Sequence, residues 1–223
     1  MKRRVDPFEV GEWYHCYNRG IDERTTFHDT GDYYRFIELL YLANDTLPLR
    51  RSGVGARTPN ELFKIPRGEK LVSIGAFCLM PNHFHIALRE TVPGGISSFM
   101  RKVGTAYTMY FNARHERIGN LFLKPFQSTH VPRDRYLQSL MSYIHCTPAA
   151  LYEKEWKTGH VVDPQFLEER VASYPYSSIG AYTDMHALTR PILEPEVLST
   201  IRTLPIQRML REVRRYCTDF NIP

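Results

Sequence analysis

The chain has 223 residues, of which 43% are hydrophobic and 24% charged, and its formal net charge is +5. Such a length and balance suit one domain of ordinary size with an extension, and they exclude a disordered or fibrous chain. The positive balance favours an anionic partner without proving one.

Residues 12–18, EWYHCYN, are aromatic-rich and predict a first strand, closed by the turn chemistry of Asn18-Arg19-Gly20. His15, in mid-strand, reads as a packed or hydrogen-bonded histidine. Arg19 reads equally as a substrate neighbour or a solvated turn arginine. From 32 to 44, DYYRFIELLYLAN, the apolar Tyr33, Phe36, Leu39, Leu40 and Ala43 recur at three and four, which predicts an amphipathic helix capped by Thr30 or Asp29. Residues 46–70 are rich in proline and glycine and carry Arg50, Arg51, Arg57, Lys64, Arg67 and Lys70. They predict a long basic loop whose side chains meet either phosphates or solvent.

Next comes LVSIGAFCLMPNHFHIALRE, residues 71–90, two strands joined by a short turn at Pro81. Side chains two apart on a strand share a face. His83 and His85 therefore project together, while Phe84, Ile86 and Leu88 face a core. Two imidazoles on one strand face make half of a metal site; two half-buried, hydrogen-bonded histidines are the plainer alternative. Residues 96–114 predict a helix whose buried stripe is Ile96, Phe99, Met100, Val103, Tyr107 and Tyr110, with Arg101 and Lys102 outside. Gly119-Asn120 turns the chain into LFLKPFQSTHV, part of it a strand, with His130 in a structural role.

Residues 133–147, RDRYLQSLMSYIHCT, predict another helix, buried through Leu137, Leu140, Met141 and Ile144 and ended by Pro148. Ser139, Tyr143 and Thr147, four apart, stack along one face, and His145 points away from it. A short helix over 165–172 and a basic amphipathic helix over 206–217 follow. Arg211 and Arg215 on the latter are candidate phosphate contacts, with a solvated helix face as the alternative. The cysteines Cys16, Cys78, Cys146 and Cys217 are scattered without a C-x-x-C pair, which argues against a zinc ribbon and for a reducing compartment. The opening MKRRVDPFEVGEWY lacks the apolar core of a signal peptide, and no run approaches the ~18 apolar residues of a membrane span. A cytoplasmic protein without a membrane partner is expected.

The string MPNHFH resembles the signature of the HUH single-tyrosine transposases, most closely their REP-associated branch. YHCYNRG, the 121–131 segment, the Tyr143 helix and YPYSS at 174–178 resemble matching segments of that branch, so the resemblance covers most of residues 12–182. It implies an α+β fold: a ferredoxin-like antiparallel sheet with helices on one face, here followed by a helical extension. Residues 1–150 would be the catalytic domain and 151–223 the extension packed on it. It also implies a transposase that cleaves and rejoins single-stranded DNA through a 5′-phosphotyrosine, and that recognises hairpin DNA. Tyr143 would be the nucleophile, and His83 and His85 would hold Mg²⁺ or Mn²⁺. The family's Tyr-Ile-x-x-Asn-Pro stands here as Tyr143-Ile144-His145-Cys146-Thr147-Pro148, so Thr147 replaces the amide ligand. A threonine hydroxyl is the weaker ligand; it would bind through a water, or the site is weakened, or a carboxylate from elsewhere completes it. Lys124 and Gln127 are candidate DNA contacts, as are Arg19, Arg101, Lys102, Arg211 and Arg215. The branch leans toward monomers, though relatives form dimers that exchange the tyrosine helix. Two alternatives stand beside this reading: a hairpin-binding module that no longer cuts, and a metal-dependent phosphoesterase that uses water.

Overall fold

The computed structural model describes residues 7–48, 58–132, 134–158, 161–201 and 204–220. The elements run β1 (Trp13–Arg19), α1 (Thr30–Leu42), α2 (Pro59–Leu62), β2 (Val72–Met80), β3 (His83–Glu90), α3 (Gly95–Arg114), β4 (Gln127–Val131) and α4 (Asp134–Cys146). After them come α5 (Pro164–Ala172), α6 (Ile179–Thr183), α7 (Pro195–Thr200) and α8 (Ile206–Phe220). All strand pairs are antiparallel, in the order β2-β3-β1-β4. This is the ferredoxin-like α+β arrangement that the element order implies. Asp29 caps α1, its carboxylate accepting from the backbone N–H of Gly31 and Asp32. Inside the expected 46–70 loop, α2 adds one helical turn; Arg50, Arg51 and Arg57 lie outside the described residues. No helix among the described residues is long and apolar enough to cross a membrane.

One face of the sheet packs against α1 and α3. Phe84, Ile86 and Leu88 of β3 meet Phe36, Leu40, Phe99, Val103 and Tyr107 there, which matches the strand alternation. The opposite face, which helices on one face alone would leave open, is covered. Ala76, Cys78 and Met80 of β2 and Ala87 of β3 point that way, and α4 covers them with Leu140, Met141 and Ile144. Helix α8 closes over α4 through Ile206, Met209, Val213 and Tyr216. The physical reason lies in β2, where all nine residues are buried. A run that is apolar on both faces needs cover on both.

Close approach of α4 is made possible at Gly75, where the β2–β3 register shifts between Ile74 and Ala76. A Cβ on Gly75 would lie 2.3 Å from Met141 Cε and 3.0 Å from the Trp13 ring. The extension also seals the free edge of β2. Leu79 N–H donates to the Tyr176 carbonyl at 2.9 Å, and Ser178 N–H to the Phe77 carbonyl at 2.9 Å. Phe77 N–H donates to Ser178 Oγ at 2.9 Å. An unpaired edge strand would otherwise present its backbone groups to other chains.

Candidate active site

The register fixes which side chains share the α4 face. His83 lies opposite Arg19 and His85 opposite Tyr17, while His15 lies opposite Ala87. On the other side of β3, Met80 faces His83 and Cys78 faces His85. So β1 and β3 together set His15, Tyr17, Arg19, His83 and His85 on one surface. From above, α4 brings Tyr143, whose ring centroid is 5.3 Å from that of His85 and 5.5 Å from that of His15. The phenol and the histidine pair therefore meet within one chain. A cavity of 230 Å³ remains between them, lined by His83, His85, Tyr143 and Thr147 together with Arg19 and Lys157.

The two histidines are held by their Nδ1 atoms. His83 Nδ1 is 2.7 Å from Asn82 Oδ1, and Asn82 Nδ2 donates to the Glu23 carbonyl at 3.2 Å. The amide is thereby oriented with its oxygen toward the ring, so His83 donates through Nδ1 and keeps a lone pair on Nε2. His85 Nδ1 is 2.9 Å from His15 Nε2, and His15 Nδ1 is 3.0 Å from the Tyr216 hydroxyl. That row of contacts allows two proton arrangements. Only the one in which His85 donates to His15, and His15 to Tyr216, leaves the His85 Nε2 lone pair for a ligand. Burial first, then the charges of Arg19 and Lys157, hold the His83 imidazole at about 4. Burial first, then His15, His83 and the two cations, pushes His85 well below the ordinary histidine range. Burial alone takes His15 to about 3. All three rings are neutral at pH 7, the state a metal ligand needs.

The donor set fits a divalent ion held by two imidazoles and an oxygen. Thr147 Oγ1 spends its one proton on the Tyr143 carbonyl at 2.8 Å, which leaves its lone pairs for a cation or a water. No carboxylate joins His83 and His85; among the described residues the only group of three or more His, Cys, Asp or Glu lies elsewhere. A completing carboxylate, one of the sequence alternatives, is therefore not found among the described residues. Tyr143 is only 3% exposed. Burial, with smaller contributions from Cys217, Tyr17 and Cys78, raises its phenol above the ordinary range. The Lys157 ammonium lies 5.7 Å from the Tyr143 ring centroid.

Residues 56–147 match the family model of IS200-like transposases. That stretch of the chain is similar to the IS200-like transposases. The matched stretch contains His83, His85, Tyr143 and Thr147. A solved REP-associated tyrosine transposase bound to a REP hairpin shares the fold, with a TM-score of 0.53 at 14% identity, covering 88% of this chain and 93% of that one. No curated protein matches the chain.

The other expected contact residues scatter. Arg19 lines the histidine cavity and pairs with Glu23 at 3.0 Å. Both partners are exposed, so the pair is weak and open to exchange. Arg101 and Lys124 line a separate groove of 660 Å³ between α3 and the 120–126 segment, and Asn18 borders both this groove and the cavity. Gln127 is exposed at the start of β4, its Nε2 donating to the Pro125 carbonyl at 3.3 Å. Lys102 is engaged otherwise than expected: its ammonium donates to the carbonyls of Asp45 and Leu47. Arg67 packs over the Tyr41 ring at 3.7 Å, and Lys70 pairs with Glu194 at 3.2 Å, so these two loop cations serve packing. Arg211 is exposed on α8, and the Arg215 side chain lies outside the described residues. His145 points away from the cavity to Ser178 Oγ at 3.0 Å, as expected. His130 pairs with Glu12 at 2.8 Å.

Sequence reasoning missed Tyr17, Trp156, Lys157 and Tyr216. It also left His15 without its partner. For His15 and Tyr17 a signal existed: they share strand parity with Arg19. Lys157 and Tyr216 sit on segments that only the fold brings over the sheet.

Proposed function

We propose that this transposase cleaves and rejoins single-stranded DNA with Tyr143 as the nucleophile and a divalent ion, Mg²⁺ or Mn²⁺, between His83 and His85. The observation that supports this most is the Tyr143 ring 5.3 Å from His85, delivered by α4 of the same chain. Because one chain supplies both halves, a monomer suffices and no exchanged helix is needed. When bound, the ion supplies Lewis-acid polarisation of the scissile phosphate. Everything else falls to the chain's own groups. Neutral His83 and His85 present Nε2, and Thr147 presents an oxygen. Arg19 and Lys157 place positive charge beside the phosphate site, where it favours an anion. Tyr143 Oη gives up its proton and bonds to phosphorus, the bond to the 3′ oxygen breaks, and that oxygen takes up a proton and leaves as a free hydroxyl. A 5′-phosphotyrosine keeps the phosphodiester energy, so a 3′-hydroxyl from another end can reverse the step. Hairpin DNA, the ligand seen in the fold relative, is the substrate class proposed here. Arg101 and Lys124 in the adjoining groove are suited to its backbone.

The test is incubation of the protein with a single-stranded hairpin oligonucleotide and Mn²⁺, read on a denaturing gel. A covalent adduct that disappears in Tyr143→Phe is the expected result. Binding without an adduct would instead mark a recognition module, and cleavage that survives Tyr143→Phe would mark a water-using phosphoesterase.

A further inference from the structure

Across the sheet from His83 and His85, on the α1/α3 side, a second cluster of ligand-type side chains sits where α1 begins and α3 ends. We propose that His28, Asp32 and His115 form a second divalent-metal site, of the zinc class, which fastens the first turn of α1 to the end of α3. Each of the three offers a ligand atom, and these atoms lie within 4.8 Å of one another. His115 Nε2 is 3.0 Å and 3.3 Å from the two Asp32 oxygens. A tetrahedral zinc with bonds of about 2.0–2.1 Å holds its ligands roughly 3.3 Å apart. The His115–Asp32 pair already has that spacing. His28 is exposed, with its ring centroid 4.6 Å from that of His115, and it has the freedom to close the remaining gap. Its exposure also leaves a fourth position open to water.

The supporting residues are those a metal ligand requires. Asp32 is fully buried, and its Oδ2 accepts from the His28 backbone N–H at 3.0 Å, which fixes the carboxylate. Its Oδ1 takes Arg114 Nη1 at 3.0 Å. The same guanidinium also binds both oxygens of Asp29, at 3.0 Å and 2.8 Å. Two carboxylates thus share one guanidinium, and one unit of negative charge is left uncompensated beside two imidazoles. That charge is felt nearby: after burial, the field of Asp32 is the next cause of the raised Tyr107 phenol. A cation at the open side of Asp32 restores the balance. Arg114 reduces the affinity of the site through Oδ1 but leaves Asp32 Oδ2, the oxygen nearer His115 Nε2, to a metal. Two nitrogens and one oxygen suit zinc better than magnesium or calcium, which prefer all-oxygen shells.

The test uses the full chain carrying His83→Ala and His85→Ala, which removes the cavity site, after dialysis against a chelator. Zn²⁺ is titrated in competition with a chromogenic chelator, and melting is followed with and without Zn²⁺. The expected result is one equivalent of tightly held zinc and a higher melting temperature with the metal, both lost when His28→Ala is added. His28 is exposed, so this variant keeps the metal-free melting temperature of its parent. Failure to bind one equivalent, or an equivalent that survives His28→Ala, would overturn the proposal. Neither outcome bears on Tyr143 or on DNA cleavage.

Discussion

Replacing His15 by phenylalanine removes the link between His85 and Tyr216 while nearly preserving volume. His15 and Tyr216 are fully buried and His85 nearly so. His15 lies 2.9 Å from His85 Nδ1 and 3.0 Å from the Tyr216 hydroxyl, and a phenyl ring bonds to neither. A buried polar group stripped of its partner costs about 1–3 kcal/mol. His85 Nδ1 is so stripped of His15, and that cost is a sizeable part of a typical domain stability of about 5–15 kcal/mol. The melting temperature should fall by roughly 2–4 °C per kcal/mol in a chain of this size. The His85 ring, no longer held through Nδ1, should also bind Mn²⁺ about 10–100-fold more weakly, the usual cost of losing a group that orients a ligand. Calorimetric titration with Mn²⁺ and thermal unfolding followed by circular dichroism measure the two effects separately. His15→Gln, which keeps one polar contact, should fall between wild type and His15→Phe in both. If His15→Phe melted like the wild type and bound Mn²⁺ within twofold of it, the row Tyr216–His15–His85 would have no part in shaping the site.

Thr147→Asn restores an amide oxygen beside the histidines; a favourable contact to a charged group contributes about 1.5–3 kcal/mol, so the Mn²⁺ concentration for half-maximal cleavage should drop about tenfold or more, and an unchanged requirement would show that residue 147 does not reach the ion. Gly75→Ala forces Met141 and Trp13 aside and should cost about 1–3 kcal/mol by overpacking, seen as a lower denaturation midpoint with an unchanged slope; a neutral result would mean that α4 shifts freely over β2. His145 is buried and held neutral, its pKa taken by burial to about 3 against an ordinary 6.5. Because the folded value is the lower one, the unfolded chain gains the proton first, and stability present above pH 6.5 is lost as pH falls from there toward 3. The loss attributable to His145 is about 2 kcal/mol between pH 7 and 5, so His145→Gln should flatten the acid side of a stability profile measured by urea unfolding; an equally steep profile would refute the assignment.

The histidine pair and the Tyr143 helix were legible because each depends on a local period. Alternation puts His83 and His85 on one face and Phe84 on the other, and a four-residue spacing aligns Tyr143 with Thr147. His145 could be set aside for the same reason, and its bond to Ser178 agrees. The cover over the second sheet face was not legible, although β2 signalled it: VSIGAFCLM is apolar on both parities, and only a strand packed on both sides tolerates that. Edge pairing by Tyr176–Ser178 leaves no periodic trace, since its contacts are backbone to backbone apart from those of Ser178 Oγ. Helices α2, α6 and α7, of four to six residues, are too short for a 3.6-residue period to show. Tyr216 and Lys157 reach the site from far along the chain, and nothing local in a basic amphipathic helix or a loop marks one residue as the one that meets the sheet.

Strand β1 depends on partners made after it. His15 meets His85 across 70 positions of sequence and Tyr216 across 201. On a ribosome adding about 5–20 residues per second, β1 waits for both of its neighbours, and its histidine, once paired with His85, still lacks Tyr216 until α8 emerges. Contacts this distant slow folding. A nascent chain halted before residue 216 would carry Tyr143, His83 and His85 without the Tyr216 contact to His15, so the proposed site is complete only once α8 is made.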